Sequence, residues 1–298
     1  MNIISHPQTV SASPSLETKT GAEALINAAK QIMSLLEHGQ VVSTGDLRQI
    51  MTAIFGGSDA EGLWLWKDAY EASESAQVLF LRKFPAVVSR APSPQSTLAM
   101  LTKAVRLLPA HSRRSEESQP LQQFSTPIPL AYVASRAAGI TAADVVLEPS
   151  AGTGLLAIFA ELACARLALN EYAAVRCSLL ERLFPGVPTS QHDAAHIDDY
   201  LDRSIRPTVV LMNPPFSAGV HVEGRVADAA WRHLTSAFAR LAPGGRLVAI
   251  TGSSLSPDNS VWHDAFVRLQ GQGTVLFTAA IEGGVYVRHG TTTETRLW

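Results

Sequence analysis

Cysteine and charge are both scarce in this chain. Of 298 residues, 2 are cysteines, and charged side chains make up 17% against 46% hydrophobic. Cys164 and Cys177 have no metal-ligand spacing. That excludes a disulfide framework or a cysteine-rich zinc module and makes a reducing cytoplasm the expected compartment. Lys and Arg total 24 and Asp and Glu 26, a net charge of −2. Without a basic surplus the chain does not read as a dedicated nucleic-acid-binding module, although an enzyme with a local basic cleft stays open. No apolar run approaches the ~20 residues that cross a bilayer, so no membrane partner is expected. The first residues lack the basic start and apolar stretch of a secretory signal. There is no internal repeat, and no P-loop lysine follows any glycine turn.

What is present falls into two rhythms. Residues 1–20, rich in Ser, Thr and Pro, are expected to be disordered. From Gly21 a helical stripe of Ala24, Leu25, Ala28, Ile32 and Leu35 begins. A second helix is expected after Ser43-Thr44-Gly45-Asp46, a third from Asp59 to Lys83, and a fourth from Ser96 to Leu108. Residues 21–110 therefore read as a helical bundle, and 111–122 as a polar linker. Trp64 and Trp66 are read as core rather than as stacking platforms for bases.

From residue 123 strands alternate with helices, the pattern of an α/β parallel sheet. Val145-Val146-Leu147, Arg166 to Asn170, Thr189 to Gln191, Thr208 to Met212 and Arg246 to Thr251 are the expected strands. Further strands are expected near Thr274–Ala280 and from Thr292. The chain ends at Trp298 within that last pattern, so a domain truncated at its C-terminal edge, or one piece of a longer polypeptide, is expected.

The chemistry-bearing stretches sit at strand ends, where open α/β sheets bind ligands. Glu148-Pro149-Ser150-Ala151-Gly152-Thr153-Gly154 places an acid at a strand end, then a glycine turn, then a helix. Glycine lets backbone pass close to a ligand, although the spacing is not the G-x-G-x-x-G of dinucleotide sites. Glu171 follows the second strand about twenty residues on, where an acid can hold a ribose diol; a plain surface glutamate fits the position equally. Asp193 follows the third strand and suits an amino group. His192 and His196 lie four apart but lack a third ligand, so no metal is expected. Gln123-Phe124-Ser125-Thr126-Pro127 reads as a helix start whose hydroxyl and amides suit a carboxylate, or simply as a capped helix. Asn213-Pro214-Pro215-Phe216 ends the fourth apolar strand. An amide, a stiff backbone and an aromatic ring there suit a planar amine.

Taken together, these stretches resemble a class I S-adenosylmethionine-dependent methyltransferase. More narrowly they resemble the N6-adenine DNA methyltransferases of Asn-Pro-Pro-Phe type, over residues 118–298. The region before them resembles the amino-terminal part of bacterial proteins that join a methyltransferase to a strawberry-notch-like helicase. The resemblance implies a Rossmann-like sheet, mostly parallel with an antiparallel last strand, preceded by the small helical domain. It implies S-adenosyl-L-methionine as cofactor, DNA with a flipped adenine as substrate, a linked or associated helicase as partner, and no metal. Phe124 and Thr126 are implied at the methionine end of the cofactor. Glu148, Pro149, Ala151, Gly152 and Gly154 are implied beside its amino acid portion, Glu171 on the ribose and Asp193 on the adenine. Asn213 and the Pro214 carbonyl are implied as acceptors for the target amine, with Asn213 also touching the cofactor and Phe216 stacking on the base.

The residue types suit that chemistry. An exocyclic amine is a poor nucleophile because its lone pair is delocalised into the ring, and acceptors for its hydrogens help release that pair. Positioning then does much of the work. Neither cysteine follows a proline, so the Pro-Cys nucleophile of cytosine-C5 methylation is absent. The Asn-Pro-Pro-aromatic element also resembles enzymes acting on RNA (guanine N2 or adenine N6) and on protein glutamine. An inactive methyltransferase-like domain that binds DNA or a partner of a helicase assembly is the alternative of another class.

Overall fold

The computed structural model describes residues 16–111, 125–215 and 228–298. The chain opens with α1 (Leu16–Glu37) and α2 (Thr44–Phe55). A reciprocal cap starts α2, with Asp46 N–H donating to Ser43 Oγ at 3.1 Å and Ser43 N–H to Asp46 Oδ2 at 2.8 Å. Next come α3 (Trp66–Lys83), the short α4 (Ala86–Ser89) and α5 (Pro94–Arg106). The third helix thus starts at Trp66, not at Asp59. Gly62 adopts a left-handed φ of 76°, which breaks the helix, and Asp68 accepts the Leu65 N–H at 2.7 Å to begin a new one. α1 begins inside the segment 1–20. The linker expected at 111–122 lies outside the described residues apart from His111.

Then follow α6 (Ile128–Ala138), β1 (Val145–Glu148), α7 (Ala157–Leu162), β2 (Arg166–Asn170), α8 (Ala174–Leu183) and β3 (Thr189–Ser190). A 3-10 turn at Ala194–His196 leads into α9 (Ile197–Tyr200), β4 (Val209–Met212), α10 (Asp228–Ala239), β5 (Arg246–Gly252) and α11 (His263–Gln270). The chain closes with β6 (Ala279–Ile281), a 3-10 helix at Gly283–His289, and β7 (Thr295–Leu297). β6 is shorter than the expected strand from Thr274, because β7, its partner, offers only Thr295 to Leu297 for pairing. Leu276 and Phe277 stay exposed ahead of it.

The sheet runs β3-β2-β1-β4-β5-β7-β6. β1 to β5 are parallel, and β7 is antiparallel to both its neighbours. This is the Rossmann-like arrangement that the resemblance implies, with the antiparallel strand last in sequence. The order reverses between β1 and β4, so a crevice opens beyond their carboxyl ends.

The helices ahead of the sheet do not form a separate core. Leu25, Ile32, Ala69 and Ala76 of α1 and α3 belong to one continuous buried cluster with Ile158, Leu180 and Phe184 around α7 and α8. Trp64 and Trp66 are buried in the same cluster. Polar ties reinforce the seam: the Arg82 guanidinium donates twice to Glu161, at 2.6 and 2.8 Å.

At the opposite end of the strands from the crevice, Asp144 is buried among donors. Desolvation opposes its charge. Hydrogen bonds from the Thr141 backbone, Thr208 and Thr141 hydroxyls, and the Arg246 guanidinium outweigh it and hold the carboxyl down at about 2. A depressed folded value stabilises the fold above the unfolded pKa of about 3.9, and the gain is lost as pH falls toward 2. Chemical denaturation should show Asp144→Asn clearly less stable than wild type at pH 7, with the gap closing between about pH 4 and pH 2. A gap that stayed constant across that window would contradict the assignment.

Candidate functional site

A cavity of about 300 Å³ lies at the crevice, lined by residues from every motif that remains within the described segments. β1 ends in Glu148, and Ala151 N–H then donates to the Asn170 carbonyl at 2.9 Å, holding the turn to β2. Gly152, at φ 55°, directs its N–H to Glu171 Oε2 at 2.8 Å. Glu171 Oε1 accepts the Ala173 N–H at 3.0 Å. These two bonds fix the carboxylate and leave it acceptor capacity toward the cavity.

Thr126, Glu148, Pro149, Ala151, Gly152, Glu171, Asp193 and Asn213 all line this cavity, so the structure brings most of the sequence-derived set together. Gly154 stands apart. A Cβ there would lie 2.4 Å from Phe184 Cε2 at φ 83°, so this glycine serves close helix packing rather than the cavity wall. Gly154→Ala should destabilise the fold by about 2 kcal/mol or more, from combined overpacking and backbone strain. Thermal denaturation reading no loss would mean that Phe184 yields freely. Pro214 is buried beside the site but does not line the cavity described. Phe124 and Phe216 lie outside the described residues.

Electrostatically the cavity is acidic. Glu148 is 2% exposed. Burial is the main cause that pushes its pKa well above the usual carboxylate range; the Ala157 N–H it accepts pulls the other way, and the nearby Glu171 charge adds to the rise. Its Oε2 has no hydrogen-bond partner among the described residues. An orphaned buried carboxylate oxygen is costly unless a ligand satisfies it. Asp193 accepts the Ala195 N–H at 2.9 Å, and His233 Nε2 lies 3.9 Å from it. Burial pulls the His233 pKa down, so this imidazole contributes little positive charge. Arg176 also reaches the wall, but its Nε donates to Glu71 Oε1 at 2.6 Å. The cation is therefore engaged on the α3 side. Such a cavity favours a cationic ligand.

Across from the acids, Asn213 is held rigidly. Its Nδ2 donates to Thr126 Oγ1 at 2.9 Å. The Tyr286 hydroxyl, on a fully buried side chain, interacts with the same amide. In this arrangement Nδ2 faces Thr126 and Oδ1 is left as the acceptor end. Thr126 thus orients Asn213, a role that the motif alone did not reveal.

Sequence reasoning missed three participants. Asn170, fully buried at the end of β2, ties three segments together. Its Nδ2 donates to the carbonyls of Pro149 and His192, both at 2.9 Å, and its Oδ1 accepts from His192 N–H and Ser190 Oγ, both at 2.9 Å. A lone amide closing an apolar strand was the available signal. Arg176 and Tyr286 carried none, since each sits in an ordinary helical or loop context.

No protein-family model matches the chain, and no curated protein matches it. Solved structures do resemble it in fold. The candidate RNA methyltransferase PH1948 from Pyrococcus horikoshii is 22% identical with a TM-score of 0.47, covering 68% of this chain and 94% of that one. A type I restriction-modification methyltransferase subunit from Streptococcus thermophilus is 13% identical with a TM-score of 0.48, covering 94% and 77%. TrmN from Thermus thermophilus is 18% identical with a TM-score of 0.41, and this chain spans 51% of its length. The Rossmann-like arrangement is read from the strand order itself. The chemistry has to be read from the cavity itself.

Proposed function

We propose that this protein is an S-adenosylmethionine-dependent methyltransferase acting on an exocyclic amine, with N6 of adenine in DNA as the preferred acceptor. The observation that carries the reading is the pairing, in one cavity, of a buried Glu148 whose Oε2 lacks a partner among the described residues with an Asn213 whose amide bonds Thr126.

The residues fit the cofactor. Glu148 offers an unsatisfied oxygen to an ammonium, beside the Gly152 turn that lines the cavity. Glu171 retains acceptor capacity for ribose hydroxyls, and Asp193 for an amino group. The surplus of acids suits a ligand carrying positive charge. When bound, S-adenosylmethionine supplies an electrophilic methyl group on a sulfonium. Asn213 Oδ1 and the Pro214 carbonyl accept the two hydrogens of the target amine and draw its lone pair out of conjugation. Phe216 stacks on the base, offsetting part of the few kcal/mol needed to flip it from a duplex. In this reading Phe124 keeps its place beside the methionine end. A linked or associated helicase is the partner implied by the resemblance of the region before Gln123. No helix among the described residues is long and apolar enough to cross a membrane.

Cofactor binding tests the proposal directly. Isothermal titration with S-adenosylmethionine should show one site per chain, and radiolabelled methyl transfer should favour adenine-containing DNA over RNA and protein glutamine. Transfer only to RNA or protein would move the acceptor assignment. The absence of cofactor binding would sink the enzyme reading and leave a binding domain.

The state of Glu148 adds a sharper expectation. Its raised pKa means that a cationic group placed against Oε2 favours the ionised form. Cofactor binding should therefore release protons near and below that pKa, and affinity should rise with pH through it. Titrations in buffers of different ionisation enthalpy measure the release. Glu148→Gln should abolish it, and persistence of the release in that variant would assign it elsewhere.

A further inference from the structure

Beside the cavity, three side chains from distant parts of the chain converge. Glu74 comes from α3, His111 from just beyond α5, and His289 from the 3-10 helix before β7. One ligand atom from each lies within 4.8 Å of the other two. We propose that Glu74, His111 and His289 form a binding site for a divalent first-row transition-metal ion of zinc type.

The donor set is the first argument. Two imidazoles and one carboxylate are a common ligand set for zinc and related ions, and they leave a tetrahedral ion one position for water. The second argument is orientation. Thr153 Oγ1 donates to Glu74 Oε2 at 2.8 Å, and Glu74 Oε1 faces His111 Nδ1 at 4.0 Å. One carboxylate oxygen is thus anchored and the other presented, as outer-shell hydrogen bonds do for metal ligands. The His111 ring is stacked on Tyr70 at 4.1 Å and stands edge-on to the His289 ring at 4.7 Å. His111 N–H donates to the Arg288 carbonyl at 2.7 Å, which locks the two histidine-bearing segments in register.

The third argument is an unmet need. His289 Nδ1 is buried with no hydrogen-bond partner among the described residues. Glu74 is 2% exposed, with the Thr153 and Ser125 hydroxyls as hydrogen-bonding partners, and a buried carboxylate is a natural partner for a cation. Arg288, the neighbouring cation, turns its guanidinium to the Leu108 carbonyl. Sequence inspection gave no hint, because the three ligands are scattered from one end of the chain to the other.

The ion acts as a clamp. Through Glu74 and Thr153 it ties α3 to the turn that lines the cavity, and through His289 it ties both to the segment carrying Tyr286. The inference is independent of methyl transfer, since neither the acceptor nor the cofactor enters it.

Metal analysis of the purified full chain, followed by Zn(II) and Co(II) titration of the chelator-stripped protein, tests it. Expected are one equivalent of Zn(II), a raised melting temperature with Zn(II), and the intense visible bands of tetrahedral Co(II). His111→Ala and His289→Ala should each weaken Zn(II) binding by more than about 100-fold, beyond what loss of an outer-shell partner costs. His263→Ala, at an exposed histidine, should bind as wild type does. If both ligand variants fail to fold, the wild-type Co(II) spectrum decides, its absence overturning the site. Stoichiometric binding that survives in a folded His289→Ala, or no uptake by the wild type, also overturns it.

Discussion

Asn213→Ala should abolish methyl transfer while leaving cofactor affinity nearly unchanged. The acids proposed to face the cofactor, Glu148, Glu171 and Asp193, come from the ends of β1 and β2 and the turn after β3, whereas Asn213 follows β4. On the proposed reading, removing its amide deletes an acceptor used only as the amine becomes nucleophilic, so the loss falls on turnover rather than on binding. Deleting one preorganised polar group of this kind costs on the order of 10²–10³-fold in rate, and the lost alignment of the base adds to that. Thr126→Val provides the graded control. The amide remains, but its Nδ2 loses the acceptor that fixes its orientation, a loss of roughly 1 kcal/mol, or several-fold in turnover. Single-turnover transfer alongside a cofactor titration separates the two effects. Full transfer by Asn213→Ala would show that the amide is not the acceptor.

Glu71→Ala should be among the most destabilising single changes in the chain. Glu71 is 2% exposed on α3 and pairs with Arg176 at 2.6 Å. Arg176 is itself buried on α8, and its guanidinium stays charged because the acids around it outweigh desolvation. Breaking a buried pair from one side strips the other charge of its hydrogen-bonded partner, at a cost of about 3–5 kcal/mol, which Glu74 and Glu171 nearby only partly offset. Lys67, 4.0 Å from Glu71, cannot relieve a stranded cation. The double change Glu71→Leu with Arg176→Met removes both charges and should recover most of the loss. Urea denaturation of the single and double variants decides the matter; a single-variant loss under about 1 kcal/mol would place the pair in a far more solvated setting than its burial indicates.

Apart from β3, which is only Thr189-Ser190, the parallel strands were legible in the sequence because each is a short, largely apolar run stopped by proline, glycine or a polar residue. Val209 to Met212, between Pro207 and Pro214, is the clearest example. The cavity residues were legible because strand ends in such a sheet converge, whatever lies between them in sequence. Buried polar groups in helices were not. Glu71 and Glu74 sit in a helix whose polar and apolar positions suggest an ordinary solvated face, yet α1, α7 and α8 cover it. Periodicity reports which face is apolar; it says nothing about an acid that is buried because a partner from another element meets it. The start of α3 and the extent of β6 were misjudged for a related reason. Gly62 and the brevity of β7 set those limits, and neither is visible from the apolar pattern.

The core shared by the leading helices and the sheet has a consequence for how such a protein can change over time. A Rossmann-like sheet that closes its own core can be joined to or cut from neighbours with little disturbance. Here Leu25, Ile32 and Ala76 fill the space over Ile158 and Leu180, so excision of residues 16–106 would strip the outer cover from α7 and α8. The sheet half is thus inherited with its helical half or not at all, and recombination that preserves the fold has to cut outside both.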